Sequence, residues 1–160
     1  MKKLFLIRHA QAINSSHILD DYDRTITKNG INDIDFLSQY LLNSSIKPDL
    51  IISSSAIRAI STANILAKNI KYDKNIVQNQ YIYEGYVNTL QEIIEYIDDS
   101  NNIVFFIGHN PGINLLAYTL CNFKEQMNTS SLVEIEFDCD FWMNISSTNS
   151  KFISHISPKR

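Results

Sequence analysis

Ile103-Val104-Phe105-Phe106-Ile107-Gly108-His109-Asn110-Pro111-Gly112-Ile113 is the stretch that decides how this chain is read. Five apolar residues in a row, without alternation, describe a strand covered on both faces, as in a parallel sheet, and predict a central position for it. Gly108 ends the run. The Asn110-Pro111 pair then opens a helix that continues through Ile113, Leu116, Ala117 and Leu120 at spacings of three and four. Proline at the first helical position costs no hydrogen bond, because that N–H has no partner within the helix. A buried strand passed through a polar turn into a helix is one βα unit.

The same unit recurs upstream. Leu4 to Ile7 is a short apolar strand, and Asp49-Leu50-Ile51-Ile52 is another, entered after Lys47-Pro48. Thr27 is the expected N-cap of a helix carrying Ile31, Ile34, Leu37, Leu41 and Leu42, with Gly30 weakening its first turn slightly. A second helix is predicted from Ala56 to Lys68, and a third over Leu90, Ile93, Ile94 and Ile97. Period two at Leu132, Val133, Ile135 and Phe137, and then at Phe152, Ile153 and Ile156, predicts one or two late strands. The expected fold class is α/β, a three-layer α/β/α sandwich around a mostly parallel sheet.

With 160 residues against about 150 per typical domain, the expectation is one domain over residues 1–160. Hydrophobic residues make up 44% and charged residues 19%, which excludes a disordered or fibrous chain. The 14 basic and 17 acidic residues leave a net charge of −3. No basic face is offered to nucleic acid or to an anionic membrane. Arg8 cuts the N-terminal apolar run short of a signal peptide, and no run approaches a membrane span, so the expectation is a soluble, cytoplasmic protein. Cys121 and Cys139 lack CxxC spacing and read as ordinary reduced thiols.

Polar residues cluster at three strand ends: Arg8-His9 after the first, Ser53-Ser54-Ser55 running into Arg58 after the second, and Gly108-His109-Asn110 after the third. In an open α/β sheet ligands bind beyond the carboxyl ends of the strands, so clusters distant in sequence converge there. Two arginines, two histidines and a helix N-terminus describe an anion site, since guanidinium forks and free backbone N–H groups both suit phosphate oxygens. A metal held by His9 and His109 is disfavoured: the adjacent arginines repel a cation, and no carboxylate is placed beside either histidine. His17 and His155 have no motif around them and read as solvated side chains. Asp138-Cys139-Asp140 reads as a turn, because Phe141 follows it and only 20 residues remain. Cys121 has Met127, not arginine, six residues on, which removes a cysteine-phosphatase loop.

These segments together resemble the histidine phosphatase superfamily. Leu6-Ile7-Arg8-His9-Ala10 is similar to its RHG signature, with Ala10 in place of glycine, and Asp23-Arg24-Thr25-Ile26-Thr27-Lys28-Asn29-Gly30 resembles the DRPLTxxG segment. Ser53-Ser54-Ser55-Ala56-Ile57-Arg58-Ala59 resembles the SSPxxRA segment, Ile107 to Gly112 matches GHNPG, and Ser157-Pro158-Lys159 resembles the end of short members. The likeness covers essentially the whole chain and is nearest to the short SixA-like phosphohistidine phosphatases, which have no cap insertion. It implies that His9 attacks phosphorus and becomes phosphohistidine, while Arg8, Arg58 and His109 hold the phosphoryl oxygens, with no metal and no cofactor. Cations beside His9 favour the neutral, nucleophilic imidazole.

The general acid is the open position. Glu84, in Tyr81-Ile82-Tyr83-Glu84-Gly85, is the leading candidate, followed by Asp20, Asp21 and Asp23. The expected activity is hydrolysis of phosphohistidine on a signalling or phosphotransfer protein, inhibited by phosphate-like oxyanions. Two other readings stand beside it. One is a small-molecule phosphomonoesterase, and the other is a phosphoprotein-binding module without turnover.

Overall fold

The computed structural model describes residues 1–158, so the Lys159 of the terminal Ser157-Pro158-Lys159 segment lies outside the described residues. Strands β1 (Lys2–Arg8), β2 (Leu50–Ser54), β3 (Val77–Asn79), β4 (Ile103–Gly108), β5 (Leu132–Phe137) and β6 (Ser150–Ile156) form one sheet in the order β3-β2-β4-β1-β5-β6. The first four strands in that order run parallel, and β5 and β6 are antiparallel additions at one edge. Helices α1 (Lys28–Asn43), α2 (Ile57–Asn69), α3 (Val87–Glu95) and α4 (Gly112–Cys121) complete the described elements, with short 3-10 turns at Asp21–Asp23, Gln80–Ile82 and Trp142–Asn144.

Alternation along the strands divides the core into two layers. Leu4, Leu6, Val104, Phe106, Val133 and Ile135 face α3 and α4 and pack on Leu90, Ile94, Ile113 and Leu116. Phe5, Ile7, Ile51, Phe105 and Ile107 face α1 and α2 and pack on Ile34, Leu37, Ala59, Ala63 and Leu66. The unalternating β4 needs both faces apolar because it is covered on both sides, and it lies between β2 and β1. The predicted three-layer α/β/α architecture with a mostly parallel sheet is the one observed.

Several local expectations are corrected. On α1 the buried stripe is Gly30, Asp33, Ile34, Leu37, Ser38 and Leu41, while Ile31 and Leu42 are exposed. Gly30 is buried where the chain passes closest: a Cβ there would lie 2.5 Å from the Gln11 carbonyl oxygen and 2.5 Å from Ile26 Cγ2. It is therefore a contact residue rather than a weakness of the helix. Pro111 precedes α4 instead of opening it, yet the bonds from Ile113 N–H to His109 O and from Leu115 N–H to Pro111 O already follow the helical pattern. β3 is three residues long and carries no apolar alternation that would have announced it. His155 is not solvated. It packs edge-on to Phe123 and its Nδ1 lies 3.0 Å from Glu125 Oε2.

Candidate active site

The parallel strands deliver their polar ends to one place. Arg8 is the last residue of β1 and pairs in register with Gly108, the last of β4, so that His9 and His109 follow side by side with ring centroids 5.1 Å apart. Arg58, at the second position of α2, lies on the buried stripe of that helix and reaches the same point. His9, Arg58 and His109 are all buried, at 6%, 5% and 8% exposure. Arg8, His9, Arg58 and His109 line a cavity of about 570 Å³, together with Asp21, Arg24, Tyr83, Glu84 and a rim of Tyr86, Val87, Pro111 and Leu115.

Hydrogen bonds fix the His9 tautomer. Arg58 Nε–H, which can only donate, faces His9 Nε2 at 3.3 Å. Nε2 therefore carries the lone pair, and Nδ1 donates to the Ala10 carbonyl at 2.7 Å. Burial above all holds the His9 pKa down at about 4; the Ala10 bond opposes it by more than any single arginine charge lowers it, and the Arg58, Arg8 and Arg24 charges add to the lowering. Ala10 is itself held by Thr62: its N–H donates to Thr62 Oγ1 at 2.9 Å, and that hydroxyl donates to the Arg58 carbonyl at 2.6 Å. Nucleophile loop and arginine are thus tied through one side chain.

His109 Nε2 lies 2.8 Å from Ser54 Oγ, which also accepts the Ala56 N–H. Burial, then proximity to His9 and Arg58, lowers the His109 pKa to about 3. Its Nδ1 is buried without a partner, as is Arg8 Nε, whose Nη1 donates to the Met127 carbonyl at 2.9 Å. Buried polar atoms without partners are rare, and among the described residues three side chains lining this one cavity, Arg8, His109 and Asn110, carry one each.

The acidic candidates separate. Asp21 borders the cavity, but its carboxylate accepts from Arg58 Nη2 at 3.1 Å, Arg24 Nε at 3.0 Å and Tyr83 Oη at 2.6 Å. The Tyr83 bond first, and then the two arginines, hold its pKa below the ordinary carboxylate value. Asp20 and Asp23 do not line the cavity. Glu84 does, from an exposed turn residue with φ 55°. Sequence reasoning placed Ser54 in a strand-end cluster without a role and missed Arg24, Tyr83 and Thr62 as parts of the site. The Asp21-x-x-Arg24 spacing was the available signal for Arg24.

A family model described as the histidine phosphatase superfamily (branch 1) matches residues 4–88. This chain belongs to the histidine phosphatase superfamily. Among curated relatives, the mitochondrial serine/threonine-protein phosphatase Pgam5 of Drosophila ananassae is 34% identical over 85 residues, which is 52% of this chain and 29% of that protein. The chain spans less than a third of this relative. Among solved structures of the superfamily, SixA from Agrobacterium tumefaciens superposes with a TM-score of 0.85 at 20% identity, covering 98% of each chain. The protein histidine phosphatase SixA complexed with tungstate gives 0.83 at 18% identity over 97% of this chain and 96% of the other. A mycobacterial glucosyl-3-phosphoglycerate phosphatase gives 0.68 at 13% identity over 94% of this chain and 96% of the other. At these identities the likeness establishes the histidine phosphatase fold.

Proposed function

We propose that this histidine phosphatase superfamily member is a metal-independent phosphatase that removes phosphate from phosphohistidine on a signalling or phosphotransfer protein, through a phosphohistidine intermediate on His9. The observation that carries the chemistry is the His9 tautomer: an uncharged ring whose Nε2 lone pair faces the cavity-lining Arg58. In the first step Nε2 bonds to phosphorus as the P–N bond of the substrate breaks, and the departing imidazole takes a proton from solvent. Water then attacks phosphorus and breaks the Nε2–P bond, which releases phosphate and restores neutral His9. Arg8, Arg58 and His109 stabilise the charge on the phosphoryl oxygens in both steps. Arg8 Nε–H is a donor with no partner among the described residues.

The preference for phosphohistidine rests on the acids. Asp21 is committed to two arginines and a tyrosine, and Glu84 stands on the exposed rim, so neither carboxylate is set deep beside the nucleophile. A sugar alkoxide needs protonation as it leaves, whereas imidazole needs much less help. The reading also takes the chain as one domain without a cap and places it in the cytoplasm. The rim supports an open mouth for a bulky partner: Tyr86 is 83% and Leu115 50% exposed. The arginine charges around His9 oppose a divalent ion, and chelators are expected to leave activity unchanged.

The test sets a phosphorylated histidine phosphotransfer domain beside a panel of sugar phosphates. Wild type quenched in turnover carries acid-labile phosphate on His9, and His9→Ala has no turnover while remaining folded. Glu84→Gln leaves phosphohistidine hydrolysis largely intact. Faster turnover of a sugar phosphate, lost in Glu84→Gln, would make the small-molecule phosphatase the right reading. A stoichiometric burst of bound phosphate with no release would make it the binding module.

A further inference from the structure

Arg58 has five N–H donors, and the structure uses them unequally. Nη1 donates to the Asp21 carbonyl oxygen at 2.7 Å and Nη2 to Asp21 Oδ2 at 3.1 Å, so one residue grips the far side of the guanidinium by both main chain and side chain. That grip turns the Nε edge toward His9 Nε2. The same Asp21 Oδ2 accepts the Tyr83 hydroxyl at 2.6 Å, and Oδ1 accepts Arg24 Nε. Tyr83 is in turn braced: its ring stands edge-on to Tyr22 at 5.1 Å and to His109 at 5.5 Å, and Arg58 Cζ lies 5.7 Å over its face. Arg24 Nη1 ties the assembly to the Ile13 carbonyl at 3.0 Å. Asp21 belongs to a 3-10 turn with no buried residue. With no fully buried residue, that turn is held by these polar bonds, by the Tyr22–Tyr83 ring contact and by the Tyr22 hydroxyl bond to Ser55 Oγ at 2.7 Å.

From this arrangement we infer that Asp21 and Tyr83 are positioning residues that aim the Nε edge of Arg58 at the phosphoryl group. The inference rests on the phosphatase reading for its kinetic consequence but not for its geometry. A carboxylate in a cationic anion pocket works against anion affinity, because it cancels one of the charges that attract phosphate. What it contributes is orientation, which acts on the transition state and not on ground-state binding. Removing the charge and removing the aim therefore move binding and turnover in different directions. A residue with only a structural role does not produce that split.

The variants are Asp21→Asn, Tyr83→Phe and the double variant, measured on the full chain. Tyr83→Phe keeps the ring against His109 and Tyr22 and loses only the hydroxyl. Three readouts are needed: kcat on a phosphohistidine peptide, tungstate affinity by calorimetry, and the order of the Arg58 Nε–H bond by ¹⁵N relaxation. Asp21→Asn is expected to disorder Arg58 Nε–H, to lower kcat by about tenfold, and to leave tungstate affinity equal or tighter. Tyr83→Phe is expected to have a smaller effect in the same direction. The double variant is expected to be no worse than Asp21→Asn, because Tyr83 acts through Asp21. An Arg58 Nε–H as ordered in Asp21→Asn as in wild type, an unchanged kcat, a loss of tungstate affinity parallel to that of kcat, or additive effects would each overturn the inference. If wild type turns over no phosphorylated substrate, the phosphatase reading fails while Arg58 order still decides the positioning role.

Discussion

At the scale of single residues, burial and nearby charge decide which atoms of the candidate site carry a proton. The pKa of His9 near 4 belongs to a folded-state group whose ordinary value is 6.5, so the folded chain binds fewer protons than the unfolded one between those limits. Stability from this group is present above about pH 6.5 and is lost as the pH falls through 4, and His109, lowered to about 3, acts in the same sense. The imidazole ¹³Cε1 signal of His9 is expected to titrate with a midpoint near 4, and it should return toward the ordinary range in Arg58→Ala as one charge disappears. A midpoint near 6.5 in wild type would show that the ring is not held neutral. His9, Arg8, Arg58 and His109 were all legible in the sequence, because each stands at a strand end or a helix start where an isolated polar residue is conspicuous. Tyr83 was not, since one tyrosine among eight carries no positional signature until its hydroxyl is seen 2.6 Å from Asp21.

At the scale of elements, the strands were legible wherever burial on two faces forces an unbroken apolar run, as in β4. β3 was not, because Val77, Gln78 and Asn79 pair with only one neighbour at the sheet edge and bury almost nothing. The α1 stripe misplaced Ile31 and Leu42 for a related reason: the helix buries Gly30, Asp33, Ile34, Leu37, Ser38 and Leu41, and periodicity alone cannot say which flank meets solvent. α4 meets the turn after Ile82 closely. A Cβ at Gly112 would lie 2.8 Å from the Gly85 carbonyl oxygen and 3.1 Å from Leu90 Cδ1. Gly112→Ala is therefore expected to push the turn that holds Tyr83 and Glu84 away from α4. Overpacking of this kind costs about 1–3 kcal/mol, readable by urea denaturation, and should be accompanied by reduced turnover. A variant with wild-type stability and kinetics would mean the turn yields without consequence.

At the scale of the whole molecule, stability and chemistry occupy opposite ends of the sheet. Lys2, at the start of β1, is 1% exposed, yet its ammonium donates to the Asp99 carbonyl at 2.6 Å and to Asn102 Oδ1 at 3.0 Å, with the buried Trp142 ring 5.6 Å away. Lys2→Met removes those charge-assisted bonds, at a cost of about 1–3 kcal/mol, while leaving the far end of the strand as it is. The expected result is a lower unfolding midpoint with unchanged kcat, and a fall in kcat under native conditions would show that the two ends communicate. β1 also has a neighbour on each side, β4 in parallel and β5 antiparallel, over most of its length. Its amides can meet solvent only when the sheet itself comes apart, so Leu4 to Ile7 should be the last to exchange hydrogen for deuterium. The 3-10 turn at Asp21–Asp23 has no buried residue and should exchange first. On the proposed mechanism, rising urea should slow turnover before it abolishes phosphate transfer to His9, which should persist until the sheet melts.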